Sequence, residues 1–198
     1  MSQAYFNHYM QTASQFAALG FGKHAPWIDL VNSLEHDGLG QTTDHLDHAS
    51  WRDGLLQRWQ FPAPAAPASL ASLGQLRETL RRGAEDLAAS GTLGKETLRE
   101  INAAVSVPIR RALRQHQNGF ELEQIPERAD WSWIAAQIAA SFAHMLVDGT
   151  MRRMKFCGDE RCRWIFVDET KGRTRRWCNE RTCGNRNRVR RARAKAAS

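Results

Sequence analysis

The chain has 198 residues and a formal net charge of +7, and 42% of it is hydrophobic, a globular composition rather than a disordered one. That length suits one ordinary domain plus a small module, and no run reaches the roughly 18 apolar residues of a membrane span. The N-terminus carries no basic stretch followed by an apolar run, so the expected location is the cytoplasm, where thiols stay reduced.

Helical signals come first along the chain. Residues 1–19 read as a helix with Phe6, Tyr9, Met10, Phe16 and Leu19 apolar, broken by Gly20 and Gly22. Pro26, tolerated in a first helical turn, opens a second helix from Trp27 to about Glu35. After a polar stretch, a short helix is expected around Trp51, Leu55, Leu56 and Trp59, and Pro62, Pro64 and Pro67 then interrupt the chain. Leu70, Leu73, Leu76, Leu80 and Leu87 recur at helical spacing, and Gly91 and Gly94 end that run. Leu98, Ile101, Val105, Ile109 and Leu113 form another stripe, with a kink or break expected at Pro108. Trp131, Ile134, Ile138, Phe142 and Met145 form a third, lined with alanines. This predicts a mainly α protein whose body, residues 1–150, is a helical bundle able to fold by itself.

The tail, residues 151–198, differs in charge and chemistry. It carries 13 Arg, 3 Lys and five acids, a net of +11, leaving −4 for the body. An acidic body with a basic tail points to a polyanionic partner for the tail alone. Arg163 to Asp168 alternates as a strand does, Glu169 to Arg173 reads as a turn, and Thr174 to Trp177 is the expected returning strand. From Gly184 to about Lys195 a basic helix is expected.

All four cysteines lie in this tail, as Cys157-x4-Cys162 and Cys178-x4-Cys183, fifteen residues apart. Two close pairs supply two edges of a tetrahedron, and the hairpin between them is long enough to bring the edges together. A structural Zn²⁺ held by Cys157, Cys162, Cys178 and Cys183 is the favoured reading. Two disulfides, a redox relay and an iron–sulfur cluster are the alternatives for four cysteines. Four filled positions leave none for catalysis at zinc. Arg161, Arg163, Arg175, Arg176, Arg181 and Arg186 surround the site in sequence; cations there favour thiolates, so some of them serve the site rather than a ligand.

The run Cys183-Gly184-Asn185-Arg186, with Cys157, Cys162, Phe166, Asp168 and Arg176-Trp177-Cys178, resembles the CGNR zinc finger family. Arg188 stands where that pattern has lysine. The body, through Trp27-Ile28-Asp29-Leu30-Val31-Asn32-Ser33, resembles the ABATE domain that precedes such fingers. The resemblance implies a bacterial stress-induced transcription regulator, cytoplasmic and nucleoid-associated, with a helical N-terminal domain that senses a signal or oligomerises.

Together these readings predict a treble-clef-like zinc module of knuckle, β-hairpin and basic helix. Arg186, Arg190 and Arg193 fall on one face of that helix, and Arg188, Arg191 and Lys195 on a neighbouring one. Val189, Ala192 and Ala196 form a third face able to pack inward. Arg186 and Arg188 near the helix start are candidates for base reading, and Arg190, Arg191 and Arg193 for phosphate contact. DNA is the expected partner; RNA, or an acidic protein meeting a zinc-stapled interaction module, are the alternatives. Trp164 and Trp177 are expected in the small core of the module, and Asn185 on backbone groups near the metal. In the body, Asp29 and Asn32 sit among apolar neighbours and must find partners, either protein groups or a small molecule above a polar pocket floor. Asp44, His45, Asp47 and His48 form a polar cluster, read mainly as solvated. No nucleophile–base pair, phosphate loop or paired-carboxylate motif stands out, so no enzymatic activity is expected.

Overall fold

Local signals set most of the helix ends. Pro26 starts α1 (Pro26–Asn32), where its missing N–H costs nothing. Ser69 caps α3 (Leu70–Ser90) by accepting from the Ser72 N–H, and Gly91 closes it at φ +74. Asp130 caps α5 (Trp131–Val147) by accepting from Ser132 and Trp133 N–H groups. Between these lie β1 (Leu34–His36), β2 (Thr42–Asp44), a 3-10 turn His45–Asp47, and α2 (Ala49–Arg58). Next come α4 (Lys95–Val105), β3 (Ile109–His116) and β4 (Gly119–Pro126). After α5 follow a 3-10 turn Thr150–Arg153, β5 (Met154–Phe156), β6 (Ile165–Val167), a π turn Glu180–Gly184, and α6 (Asn185–Ala196). This computed structural model describes residues 25–117 and 119–196, so the helix expected over residues 1–19 lies outside the described residues.

The short α1 is the centre of the packing. Pro26, Trp27, Ile28, Leu30 and Val31 are all buried, with α3, α5 and β6 against them. Trp27 meets the Phe142 ring edge-on at 5.0 Å and points its indole N–H at the Met145 sulfur, 3.0 Å away. Leu73, Leu76, Leu80 and Ala84 of α3 and Ile134, Ile138 and Phe142 of α5 complete this core. Gly83 lets the α3 backbone approach α5: a Cβ there would stand 3.0 Å from the Phe142 ring.

Two sequence expectations are corrected by the strands. The stripe from Leu98 to Leu113 stops at Val105, and Ile109–His116 is a strand paired antiparallel with Gly119–Pro126. Pro108 provides no N–H and disfavours helix at the residue before it. Ile109 and Leu113, four apart, fit a strand face as well as a helical one. In the tail, β6 pairs with β5 rather than with residues 174–177, in the register Met154↔Val167, Lys155↔Phe166, Phe156↔Ile165. The 174–177 segment needs no ladder because side chains serve its backbone. Asp168 accepts from the Arg175 N–H at 2.9 Å, and Lys155 donates to the carbonyls of Arg173 and Arg175.

The core runs across residue 150. Ile165 and Val167 of β6 are buried in the same cluster as Trp27 and Ile138. The tail thus contributes a hairpin to the packing of the helical body.

Candidate metal centre and nucleic-acid interface

The β5–β6 connection folds back on itself through backbone bonds. The Cys157 N–H donates to Trp164 O and the Cys162 N–H to Asp159 O, both at 2.8 Å. The N–H of Asp159 lies on the Cys157 sulfur and that of Trp164 on the Cys162 sulfur, two residues beyond each cysteine. Gly158 has no room for a side chain: a Cβ would lie 2.9 Å from the Trp177 ring and 3.0 Å from Arg176 O. Cys178 comes from the following loop and Cys183 from the π turn before α6.

The four sulfurs lie within 4.8 Å of one another, the sole metal-competent group of His, Cys and acids among the described residues. Cys162 and Cys178 are 3.5 Å apart, and Cys178 and Cys183 3.6 Å. A tetrahedron with bonds of about 2.3 Å has edges of about 3.8 Å, so the thiols fit a metal with little movement. All four are free thiols, with no sulfur–sulfur bond among them. Thiols donating from Cys162 and Cys178 hold Cys157 down, while the Cys162 and Cys178 thiols are pushed up by the sulfurs they donate to. A cation that replaces those protons removes the conflict, so this donor set fits a metal better than it fits itself.

Helix α6 is anchored at its first turn. Asn179 accepts from the Arg181 and Thr182 N–H groups. Asn187 is buried and donates to Cys183 O at 3.0 Å, while accepting from Arg190. Arg186 is committed at every nitrogen. Nε donates to the fully buried Asp159 carboxylate at 2.6 Å, Nη2 to the Cys183 sulfur at 3.1 Å, and Nη1 to the carbonyl of Asp37 in the body. Arg190 stands 3.9 Å from the same carboxylate. Arg188 pairs with Glu180 in solvent, and Arg191 and Arg193 are exposed on the later turns.

The five arginines proposed from sequence therefore divide. Arg186 is placed in the seam between tail and body, Arg190 bridges seam and solvent, and Arg188, Arg191 and Arg193 face water. Val189, Ala192 and Ala196, expected to pack inward, are exposed. The inward positions belong instead to Arg186 and Asn187, because what α6 packs on is a polar layer of carboxylate, carbonyl and sulfur. Asn185 is exposed. Trp164 and Trp177 pack around the cysteines.

In the body, Asp29 and Asn32 both engage protein groups. Asp29 Oδ2 accepts from Arg58 at 3.0 Å and from the Trp59 indole at 2.7 Å. Asn32 spans to the tail: it accepts from the Ile165 N–H and donates to Ile165 O, both at 2.9 Å. The two residues also line a cleft of about 440 Å³. Two members of the polar cluster are paired: Asp44 takes a two-pronged bond from Arg77, and His45 lies 2.7 Å from Glu35, while Asp47 and His48 are exposed.

Sequence reasoning passed over Asp159, Asn187 and Asp37, three groups on which the tail depends, and named Asp168 only as part of the motif. Asp159 was detectable as one of only five acids in a strongly basic segment. Asp37 and Asn187 gave no local signal, since their partners are distant or backbone groups.

The chain thus joins a helical body, whose core takes in Ile165 and Val167 of the tail, to a segment that carries four clustered thiols and an exposed basic helix. Residues 24–149 match the family model ABATE, described as "Putative stress-induced transcription regulator", and the chain belongs to that family. Residues 153–196 match the CGNR zinc finger. No curated protein matches the chain. No helix among the described residues is long and apolar enough to cross a membrane.

Proposed function

We propose that this protein is a zinc-dependent DNA-binding transcription regulator. One structural Zn²⁺ sits on Cys157, Cys162, Cys178 and Cys183, and the solvent face of α6 meets DNA. Knuckle, hairpin and helix form a treble-clef-like module, with Cys183 delivering the metal's last ligand at the helix start. The observation that carries the reading is the division of α6. Its inner residues, Arg186 and Asn187, are tied to Asp159, Cys183 and the body, so the helix is held rigidly. Its outer arginines Arg191 and Arg193 are exposed, and Arg188 pairs with Glu180 in solvent. A pre-positioned row of arginines matches a row of phosphates, and arginine also pairs with guanine edges. The body positions and regulates the finger, and the role is binding rather than catalysis.

The test is a salt titration of binding to duplex DNA, with single-stranded RNA and an acidic peptide as competitors. Each phosphate contact contributes about 0.9 to the slope of log affinity against log salt. Replacing Arg191 and Arg193 by Ala should lower that slope by about 2 while zinc content stays at one per chain. Unchanged DNA affinity at every salt would remove α6 as the nucleic-acid surface, and preference for the RNA or the peptide would replace DNA as the partner.

A further inference from the structure

We propose that the cleft between body and finger is a binding site for a small aromatic organic cation, an arylalkylamine or an arylamidine. The cleft is built from both parts of the chain. Asp29 and Asn32 come from α1, Glu35 from β1, and Trp51, Gly54, Leu55 and Arg58 from one face of α2. Trp164 closes it from the finger, between Cys162 and Ile165. Its volume, about 440 Å³, lies within the range of small-molecule sites.

Three features give it chemistry. Trp51 and Trp164 are half-buried, so parts of two indole surfaces line the cleft, and indole faces attract cations. Asp29 and Glu35 bring two carboxylates to a lining whose basic groups are Arg58, a permanent cation, and His45, an imidazole. Asp29 gives Oδ2 to Arg58 and Trp59, and Glu35 gives Oε2 to His45, and each carboxylate has a second oxygen able to accept. The third feature is Gly54. Glycine weakens a helix interior relative to alanine, yet it sits mid-α2 where a Cβ would meet nothing within 4 Å. Packing does not require glycine there, and the bare backbone leaves that wall of the cleft open.

The site also touches the metal centre's support. Asn32 lines the cleft and holds both backbone groups of Ile165, next to Trp164 and three residues from Cys162. A ligand against Trp164 and Asn32 therefore bears on the position of the finger. Occupancy does not depend on the DNA-binding reading, and it is measured without DNA.

The experiment is ligand-observed saturation-transfer NMR on the full zinc-loaded chain, using tryptamine and benzamidine as cations and indole-3-acetate as the anion matched to tryptamine. Tryptamine and benzamidine should show transfer, and indole-3-acetate should bind at least tenfold more weakly. Gly54→Leu fills the cleft and should abolish the cation signal while keeping a helical spectrum and an unchanged or higher Tm. Glu35→Gln, at a half-exposed position, should weaken tryptamine about tenfold and leave the weak anion signal unchanged. Equal signals from amine and acid, no transfer from either cation, or cation binding that survives both substitutions would each overturn the proposal.

Discussion

Replacing Asn32 by Ala should cost the whole chain about 2–4 kcal/mol. In the antiparallel β5–β6 pair the hydrogen-bonded positions alternate: Cys157 bonds Trp164 and Asp168 bonds Arg153. Ile165 falls between them, so its N–H and C=O point to the outer edge of the hairpin. Asn32 meets that edge as a neighbouring strand would, with one donor and one acceptor, each at 2.9 Å. Ile165 is fully buried, so alanine leaves two orphaned backbone groups in a dry place. Each carries a penalty of about 1–3 kcal/mol, reduced where water enters the space left by the amide. Asn32→Asp sharpens the test. It keeps the acceptor for the N–H but sets a carboxylate oxygen against Ile165 O, and this raises its pKa in the folded state. The resulting stability is present at low pH and lost as pH rises through that raised value, so the deficit relative to wild type should grow as pH rises above the ordinary carboxylate range. Urea unfolding followed by circular dichroism, with zinc retained throughout, measures both variants. A loss below about 0.5 kcal/mol for Asn32→Ala would refute the argument, because that is the scale of an ordinary surface substitution.

Three other outcomes follow from the same contacts. Stripping the metal with a chelator should release the loop carrying Cys178 and the start of α6, which rest mainly on the cysteine cluster; because the ligands must be deprotonated, metal retention should fail progressively in acid, read by metal release against pH. Gly38→Ala should destabilise the seam by about 1–2 kcal/mol from its φ of +76 alone, and a Cβ there would also stand 2.3 Å from the pinned Arg186 guanidinium; the double variant with Arg186→Ala should be less than additive in denaturant melts, and full additivity would sever the link. A chain ending at residue 150 should lack a cooperative melt by circular dichroism, since it loses Ile165 and Val167 from the core and leaves Asn32 without its partner; a sharp helical transition would restore the body as an independent unit.

The parts of the fold legible in the sequence were those with a local cause. The α3 and α5 stripes, the proline at the start of α1 and the glycine closing α3 each declare themselves within a turn or two. The cysteine site was legible because soft ligands at close spacing leave few other uses for four thiols in a basic tail. What failed were decisions settled at a distance. Residues 109–116 fit helix and strand periods alike, and the partner strand decided the matter. The pairing of β6 with β5 depended on Lys155 and Asp168 capturing the backbone of residues 173–175. Asp29 and Asn32 were recognisable as polar groups needing partners, but nothing near them in sequence names Trp59 or Ile165 as those partners.

The placement of Arg186 changes how α6 can meet DNA. Twelve residues make a helix of about 18 Å, and its first turn is held between the cysteines and the Asp37–Gly38 turn of the body. Withdrawing Arg186 for base reading would strand the Asp159 carboxylate, which is fully buried beneath it. Such a loss is severe, since a buried charge left without its partner costs far more than a solvated one. Base reading by Arg186 would therefore compete with its bonds to Asp159, Cys183 and Asp37 while the finger stays docked. Of the run Cys183-Gly184-Asn185-Arg186, Asn185 alone is exposed, and it sits at the start of a helix whose next outward residues are Arg188 and Arg191. If the finger meets DNA as proposed, this geometry leaves Asn185 and Arg188 to set sequence preference and Arg191 and Arg193 to supply affinity. Asn185→Ala should then relax specificity at fixed zinc content and leave the salt slope unchanged, whereas Arg186→Ala should lower stability and affinity on all sequences alike. If instead Arg186→Ala keeps wild-type stability and loses preference at a single base pair, the docked arrangement of tail and body is not the one that binds DNA.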